Sequence, residues 1–328
     1  MSVAVPVRRG GSPAWLRRFG ARPEAPSLVF LAAIVAVFSA TVDGFLDVDN
    51  LQGTLSQVAM IGIIALAVNQ VILAGEIDVS TGSMLAVCAF GAGLVAERTS
   101  GLPAALAVAV GGGALLGALN GLLVCRLRLP SIIATLGLLY VLRGVLLAEG
   151  GDTVANTPAG ARVLGNGEIL GVDVAVFLLV GVFAVFELLH RHSLWGREML
   201  AVGGNAEAAR VAGLRVDWIR FRGFLLVGVC VGLAAMVYVG QIGQVQATAA
   251  TGFELQPIAA AVVGGTSIAG GRGSNLAPIV GAVLIGVILN ALTLLSVSGT
   301  YVDLVMGALI LAAILTDVLR RRVMRGRA

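Results

Sequence analysis

The chain contains no lysine, and all 22 of its basic residues are arginine. Without lysine it can neither carry the lysine-bearing phosphate loop of an ATPase nor form a Schiff base. The net charge is only +4, and the arginines stand in loops beside apolar runs, where membrane topology explains them better than nucleic-acid binding does. The chain is therefore not expected to hydrolyse ATP itself, and nucleic acid is not an expected partner.

Cysteine and histidine are scarce as well. Cys88, Cys125 and Cys230 each fall inside an apolar run, too far apart in sequence to suggest a disulfide framework or a metal cluster. His190 and His192 flank the end of one apolar run, without further metal ligands nearby. The sequence thus predicts no catalytic residue, no metal site and no cofactor bound by this chain.

Charge is low in general, because 12% of the residues are charged, against about 25% in soluble domains. Hydrophobic residues make up 58% of the chain, and the mean hydropathy is +0.98. Apolar runs of about 20 residues recur, each long enough to cross a hydrocarbon core about 30 Å thick. We expect an all-α integral membrane protein with about ten spans, the eighth of them Gly-rich and short or broken. The predicted spans are 27–42, 54–74, 79–97, 103–125, 131–148, 172–190, 223–245, 258–269, 276–295 and 301–319.

The arginines predict the orientation of these spans. With the N-terminus in the cytoplasm, the cytoplasmic loops and tails collect every arginine except Arg98, Arg143 and Arg162, as the positive-inside rule requires. Both termini are then cytoplasmic, and the chain divides into an N-terminal segment (1–26) without a cleavable-signal pattern, a transmembrane domain (27–319) and a C-terminal tail (320–328). The predicted outer loops are acidic, with Asp43, Asp47, Asp49, Asp152, Glu168 and Asp173.

One cytoplasmic loop, residues 191–222, is long and carries its own helix signal. Asn205 suits the N-cap position, residues 206–211 favour helix, and Gly213 can end it. A two-turn helix with small residues on one side and charged residues at its edges suits docking into a groove on a partner protein. A connector that lies along the membrane surface is the open alternative.

Four stretches of the chain carry a family resemblance. They are LAGEIDVSTGSMLA (73–86), RLRLPSIIATLGLLYVLRG (126–144), AVGGNAEAARVAGL (201–214) and AVVGGTSIAGGRGS (261–274). In this order they resemble the ribose-type sugar permeases, the inner-membrane components of bacterial binding-protein-dependent ABC importers. The resemblance covers most of the chain from residue 54 onward and is specific for the family, but not for the substrate. The positions that match the family motifs are Gly75, Asp78, Ser80, Gly82, Ser83, Arg143, Gly264, Gly265, Gly271 and Gly273.

The resemblance implies that the 191–222 loop couples this chain to an ABC ATPase dimer in the cytoplasm, which uses ATP with magnesium. It also implies an extracytoplasmic sugar-binding protein, a second permease subunit that is a copy or a related chain, and a multi-pass location in the bacterial inner membrane. The chain itself would be a transport subunit and not an enzyme. The residues expected to couple it to the ATPase are Gly203, Asn205, Glu207, Ala208, Arg210 and Gly213.

Uncharged polar residues inside the spans are the candidates for lining a translocation pathway, because a neutral sugar needs hydroxyl and amide partners rather than charges. Each of these residues can equally bridge two helices by hydrogen bonds, and the sequence leaves the two roles open. The candidates are Gln57, Asn69, Gln70, Asn120, Tyr140, Gln241, Gln244 and Asn290.

The chain departs from the family pattern at Glu76, which stands where the family usually has a second glycine after Gly75. Glu76 and Asp78 then crowd a turn near the predicted cytoplasmic face, where solvent or an arginine can stabilise them. An inner gate, a role in folding and a purely structural turn all remain open. Arg143, about a dozen residues into the fifth span, must face water, a carboxylate or backbone carbonyls, and we expect a structural role for it.

These observations predict a permease subunit that moves a pentose, hexose or deoxy-sugar by alternating access. A permease for branched-chain amino acids or nucleosides is the alternative within the same class. An ion-coupled secondary transporter would carry ionisable residues at mid-membrane depth, where Arg143 is the only clear one. An integral-membrane enzyme would need a cluster of acid–base, nucleophilic or metal-binding residues, which the sequence does not suggest.

Overall fold

The structure is a computed structural model, which describes residues 24–99, 101–151, 153–299, 301–302, 304–312 and 315. The helices are α1 (Ala25–Thr41), α2 (Val48–Leu73), α3 (Thr81–Thr99), α4 (Leu102–Gly121, continued by a π-helical turn, Leu122–Arg126), α5 (Ser131–Gly150), α6 (Val163–Asn166), α7 (Val174–His192), α8 (Trp195–Gly204), α9 (Ala206–Val211), α10 (Val216–Ile242), α11 (Leu255–Val263) and α12 (Leu276–Leu294). Four short strands form two antiparallel pairs, β1 (Val154–Asn156) with β4 (Gln244–Gln246) and β2 (Glu168–Ile169) with β3 (Val172–Asp173). A 3₁₀ turn lies at Ala159–Ala161. The strands are a departure from the all-α prediction, and all four lie in connections between helices.

Among the described residues, six helices are long and apolar enough to cross a membrane, namely α2, α4 with its π-helical turn, α5, α7, α10 and α12. The apolar α1 has 17 residues, and α3 has 19 but carries Glu97 and Arg98 near its end. Residues 301–302 and 304–312 are helical, whereas most of the remaining tenth span, the tail 320–328 and residues 1–23 lie outside the described residues. The class of helical membrane protein is confirmed, while the count of about ten spans and the cytoplasmic location of both termini stay predictions.

The predicted seventh span, 223–245, is displaced toward the N-terminus in the structure, because α10 begins at Val216 and ends at Ile242. Its first turns contain two arginines that the hydropathy pattern excluded from the span. Arg220 pairs with Glu76 and Arg222 with Glu198, at 2.7 and 2.8 Å, so both charges are neutralised within the protein.

The centre of the bundle consists of α2 and α10, which are largely buried. Among the described helices, α4 packs against α10 more extensively than any other pair does. Glycine makes this contact possible, since a Cβ atom at Gly113 would collide with the backbone of Gly228, and one at Gly117 with the carbonyl of Phe224. The two backbones approach as closely as small residues allow in membrane helices.

The two ends of the bundle differ in charge. At the end we call basic, the connections after α2, α7 and α11 meet, and arginines concentrate there: Arg126, Arg128, Arg191, Arg197, Arg210, Arg215 and Arg272. At the acidic end, Gln52 donates a hydrogen bond to the carbonyl of Gly171, which joins α2 to the β2–β3 hairpin. The carboxylates of the acidic end are Asp43, Asp47, Asp49, Glu168 and Asp173.

The connection between α10 and α11 leaves the acidic end and enters the bundle. Arg143 donates hydrogen bonds to the carbonyls of Ala247 and Ala249. It lies seven residues before the end of α5, which is about 10 Å along the helix. Gly82 packs against Glu254. It lies 17 residues before the end of α3, which is about 25 Å along the helix. Residues 243–254, the re-entrant segment, therefore cross more than half of the bundle before the nine-residue α11 begins. The predicted eighth span, 258–269, is short, as expected, because its helix α11 ends at Val263; the re-entrant segment before it was not predicted.

Candidate translocation pathway and coupling surface

The re-entrant segment has one polar face and one buried face. Between Gln244 and Thr248 the side chains alternate, so that Val245 and Ala247 are buried and their neighbours are exposed. This period of two follows from the extended backbone, in which successive side chains point to opposite faces. The exposed polar side chains of the segment, which we call the polar tract, are Gln244, Gln246, Thr248 and Thr251.

Two open cavities adjoin the last turns of α10. The tract cavity, of about 480 Å³, is lined by the polar tract together with Tyr238, Ile242, Ala249 and Ala250. The outer cleft, of about 530 Å³, is lined by Gly53, Ser56, Gln57, Met60, Gly165, Asn166, Asp173, Tyr238, Gln241 and Ile242. Both volumes fall in the range of small-molecule sites, and Tyr238 and Ile242 border both cavities.

The chemistry of the tract cavity is that of neutral hydrogen bonding. Its polar lining consists of amides and hydroxyls, which donate to and accept from sugar-like hydroxyl groups, and its lining residues include no charged side chain. Exposed amides and irregular backbone at this depth cannot face hydrocarbon without a large cost. The polar tract must therefore face water or another protein.

Arg143 holds the re-entrant segment in place. Its Nη1 donates to the carbonyl oxygen of Ala249 at 2.7 Å and to that of Ala247 at 3.3 Å. The sequence predicts that this charge faces water, a carboxylate or backbone carbonyls, and the structure shows backbone carbonyls. The guanidinium thus satisfies carbonyl groups that would otherwise lack partners inside the bundle.

The predicted pathway residues divide between the cavities and the helix contacts. Gln57 and Gln241 line the outer cleft, and Gln244 lines the tract cavity. Tyr140 is 72% exposed on α5 and lines neither cavity. The other four residues bond between elements of the bundle, as the following contacts show.

Asn69 and Asn290 bridge elements at opposite ends of the bundle. Asn69 accepts a hydrogen bond from Thr266 Oγ1 at 2.6 Å and donates to the carbonyl of Ser274 at 3.2 Å. Asn290 exchanges two hydrogen bonds with Asn50, at 2.6 and 3.0 Å. Both side chains tie α2 to the last third of the chain and do not reach a cavity.

Gln70 is the centre of a second bridge. It donates to Asn275 Oδ1 at 2.9 Å and accepts a hydrogen bond from Trp195 Nε1 at 3.3 Å. Asn275 donates in turn to Glu187 at 3.0 Å. The network joins α2 to the first turn of α8, to the start of α12 and to α7.

Asn120 fixes the start of α3. It donates to Asp78 at 3.1 Å and to Ser80 Oγ at 2.8 Å, and Asp78 also accepts hydrogen bonds from the amide and the hydroxyl of Ser80. Ser83 donates to the carbonyl of Ser80. Asp78 is fully buried, so the expectation that solvent or an arginine stabilises it is wrong, because amide and hydroxyl donors take that place.

Glu76 does pair with an arginine. Its carboxylate lies 2.7 Å from Arg220, and Arg220 also donates to the carbonyl of Ala74 at 3.3 Å. The two charged side chains are only 13% and 21% exposed. The carboxylate that departs from the family pattern therefore ties the turn after α2 to the first turns of α10.

The end of α8 and the connections after α2 and α11 meet in a contact that we call the glycine crossing. The amide of Gly271 donates to the carbonyl of Leu73 at 3.0 Å, and Gly75, Gly270 and Gly271 have φ values of +82°, +79° and +71°. A Cβ at Gly203 would collide with the Leu73 carbonyl, and one at Gly270 would lie 2.8 Å from the Cα of Gly75. Only glycine fits these positions. The crossing joins α8 rigidly to the connections after α2 and α11.

The coupling loop contains the predicted short helix. Asn205 Oδ1 accepts a hydrogen bond from the amide of Ala208 at 2.9 Å, α9 runs over Ala206–Val211, and Gly213 follows with a φ of +87°. The cap, the helix and its end are thus as predicted. The role of these residues in coupling stays a prediction.

The outer face of α9 is exposed, and its inner face is anchored. Ala209 is buried, whereas Glu207, Ala208 and Arg210 are exposed and Val211 is 85% exposed. Arg210 lies 3.5 Å from Glu207 and 3.3 Å from Asp217. The surface is small, mixed in charge and held by a fixed helix, which suits docking of a partner protein. Gly203, also predicted to couple, lies beneath this surface in the glycine crossing.

The remaining motif glycines also serve close contacts. Gly82, Gly264 and Gly273 leave no room for a Cβ atom against their neighbours, and Gly265 adopts a φ of +121°. These glycines are needed for backbone packing and are not candidates for contacting substrate.

Sequence reasoning missed most of the cavity lining, including Gln246, Thr248, Asn166 and Tyr238. The alternation of polar and apolar residues after Gln244 was the signal that marked the tract. The hydropathy pattern does not mark this alternation, because it lies between two predicted spans. Among the described residues, no three His, Cys, Asp or Glu side chains are grouped so that they could hold a metal ion.

A membrane-embedded helical bundle with a re-entrant polar segment and a capped surface helix defines the class of protein as a transport permease. Residues 50–314 match the family described as the branched-chain amino acid transport system / permease component. The match covers most of the chain, and the chain belongs to this family.

Curated relatives cover nearly the full length. The chain is 36% identical to the ribose import permease protein RbsC of Escherichia coli (strain K12), over 94% of this chain and 96% of that one. It is 35% identical to the L-arabinose ABC transporter permease protein AraH of Azospirillum brasilense, over 90% and 87%. It is 34% identical to the autoinducer 2 import system permease protein LsrC of Escherichia coli, over 88% and 85%. No solved structure matches the chain.

Proposed function

We propose that this chain is the membrane-spanning subunit of an ATP-driven importer that moves a small neutral sugar across the bacterial inner membrane. The observation that carries the proposal is the polar tract, a row of amides and hydroxyls that borders an uncharged cavity inside an otherwise apolar bundle. The names of the relatives, which include ribose and arabinose permeases, agree with this substrate class. ATP is bound and hydrolysed by a separate ATPase dimer in the cytoplasm.

The tract is proposed to line the pathway jointly with a second permease subunit. Its side chains are exposed on one subunit at a depth where hydrocarbon would be costly. A second copy or a related chain would cover the tract and enclose a water-filled passage between the two subunits. The apolar side of the segment and the Arg143 contacts keep the passage wall fixed in each subunit.

The proposed mechanism is alternating access driven from α9. Closure of the ATPase dimer displaces α9 and α8, and the glycine crossing passes that displacement to the turns after α2 and α11. The network around Gln70 adds a hydrogen-bonded path from α8 to α7 and α12. The chain performs no chemistry on the sugar.

A neutral sugar fits the cavity better than an amino acid does. The ammonium and carboxylate groups of an amino acid need charged or dipolar partners, and the lining of the tract cavity offers only neutral amides and hydroxyls. Branched-chain amino acids are therefore the weaker candidate in spite of the family's description.

Uptake into liposomes tests the proposal, using this permease with its co-purified ATPase and binding protein and a panel of pentoses, hexoses, deoxy-sugars and amino acids. We expect ATP-dependent uptake of one sugar, reduced at least about tenfold by Gln246→Leu, which removes two or more hydrogen-bonding groups from the passage. Tyr140→Leu changes an exposed polar residue outside both cavities and serves as the matched control.

Two outcomes would contradict the proposal. Uptake that follows an ion gradient without ATP would indicate a secondary transporter. Equal uptake by the Gln246 and Tyr140 variants would show that the polar tract is not the pathway.

A further inference from the structure

The β2–β3 hairpin ends in an apolar side chain that no residue of the described part of the chain covers. Leu170 is 97% exposed at the tip, between Ile169, which is 49% exposed, and Gly171. Its φ of +54° lies in the left-handed region, which strongly disfavours a bulky side chain. The tip thus combines backbone strain with an exposed leucine, and strain of this kind concentrates at functional sites.

The hairpin is held firmly in this position. Gln52 of α2 donates a hydrogen bond to the carbonyl of Gly171 at 2.6 Å, and Ser56 donates to the carboxylate of Asp173. The amide of Val174 donates to the carbonyl of Gly167 at 2.8 Å, which closes the base of the hairpin. The leucine is therefore presented on a fixed support, and its exposure is not a property of a loose loop.

Carboxylates surround the tip. Glu168 in the hairpin is exposed, and Asp49 lies one helical turn before Gln52, on the side of α2 that contacts Gly171. Asp43 and Asp47 are exposed in the loop that leads into α2. Partial burial, together with the charge of Glu168, raises the pKa of Asp173 above its ordinary value. The surface is an apolar knob with an acidic surround.

The negative charge around Leu170 indicates which kind of partner can bind there. Anionic lipid headgroups would be repelled by the carboxylates, and a second copy of this end of the chain would place acid against acid. Arg162, the nearest basic residue in sequence, is directed inward and donates to the carbonyl of Thr157. The fitting partner is a protein with an apolar socket and a basic rim.

We propose that Leu170 is the anchor by which the extracytoplasmic binding protein docks on this permease, with basic residues of that protein meeting Glu168 and Asp49. The inference rests on the proposed function, which supplies such a partner at the acidic end. Binding energy concentrates on side chains that fill a desolvated pocket on the partner, and the fixed turn presents Leu170 for such a pocket without a further cost of ordering.

Binding of the co-purified binding protein to the permease–ATPase complex in lipid nanodiscs tests the proposal. We expect Leu170→Asp to weaken binding by about tenfold or more, because it adds a charge to the socket. Leu170→Gly should weaken binding as well, yet keep or raise thermal stability, since glycine is unstrained at this φ. Ser296→Gly is the matched control, because Ser296 is exposed at the same end with a φ of +56°.

Cross-linking identifies the occupant directly. Leu170→Cys is labelled with a maleimide benzophenone, which leaves the buried Cys88, Cys125 and Cys230 unmodified. Irradiation should join the chain to the binding protein. A product of two permease chains, or a product with lipid alone, would overturn the proposal.

The outcomes separate this inference from the proposed function. If wild-type complex takes up no sugar, the proposed function fails. If the wild type takes up sugar and both Leu170 variants bind the binding protein as tightly as the Ser296 variant does, only the docking proposal is wrong.

Discussion

Replacing Gly203 by alanine should break the link between α9 and the rest of the bundle. A Cβ at this position would lie 2.6 Å from the amide nitrogen of Gly271, and closer still to the carbonyl oxygen of Leu73, where ordinary contact begins at 3.4 Å. The backbones must therefore separate by about 1 Å or more. That separation disrupts the 3.0 Å hydrogen bond from the Gly271 amide to the Leu73 carbonyl.

The expected cost follows from these two effects. Overpacking of a close contact costs about 1–3 kcal/mol, and a buried hydrogen bond left unmade costs about 1–3 kcal/mol, so Gly203→Ala should destabilise the fold by about 2–6 kcal/mol. Gly204→Ala is the matched control, because among the described residues no atom outside its own helix backbone and its chain neighbours comes within 4 Å of the added Cβ. Alanine there removes a glycine from the end of α8 and should be neutral or slightly stabilising.

Thermal unfolding in nanodiscs and ATP-driven uptake in liposomes measure the difference. We expect the Gly203 variant to unfold several degrees lower and to lose uptake, while the Gly204 variant resembles the wild type. Equal stability and equal uptake of the two variants would refute the glycine crossing as a rigid link.

The remaining predictions concern single side chains. Asn205→Ala should cost about 1 kcal/mol in α9 and reduce ATP-driven uptake with little change in thermal stability of the bundle, whereas Asn205→Asp retains the cap and the uptake. Arg143→Met leaves the carbonyls of the re-entrant segment without a donor and should speed amide hydrogen exchange within residues 243–254, measured by mass spectrometry; unchanged exchange would argue against anchoring. Glu76→Gln should destabilise the protein by up to about 3 kcal/mol. Arg220→Gln should destabilise it further, because it also removes the bond to Ala74, and a larger effect at Glu76 would contradict the geometry.

Local signals in the sequence predicted α9 accurately, although not the ten-residue α8 that precedes it in the same loop. Asn205, the residues of α9 and Gly213 form a capped helix whose start and end depend on neighbouring residues alone. Such elements can be read from a few residues, because the deciding hydrogen bond joins Asn205 to the amide three positions later.

The polar tract depended on contacts distant in sequence and was only partly foreseen. Gln244 was a candidate, whereas the placement of Gln246 and Thr248 depends on partners distant in sequence: Arg143 binds the carbonyls of Ala247 and Ala249, and Gln246 pairs with Val154. Conversely, Asn69 and Asn120 had the right chemistry for a pathway, and their tertiary partners drew them into bridges. The sequence alone does not distinguish an amide side chain that lines a pathway from one that bridges two helices, because the difference depends on its tertiary hydrogen-bond partners.

The backbone contact between α4 and α10 limits how the bundle can move. Where Gly113 faces Gly228 and Gly117 faces Phe224, the two backbones touch with no side chain between them, so the helices cannot slide past each other at these points. A tilt that opens one end of the protein must therefore move α4 and α10 together as one rigid unit. We expect bending instead where α2 and α12 are joined by the side chains of Asn50 and Asn290, because these amides can exchange hydrogen-bond partners without opening a void.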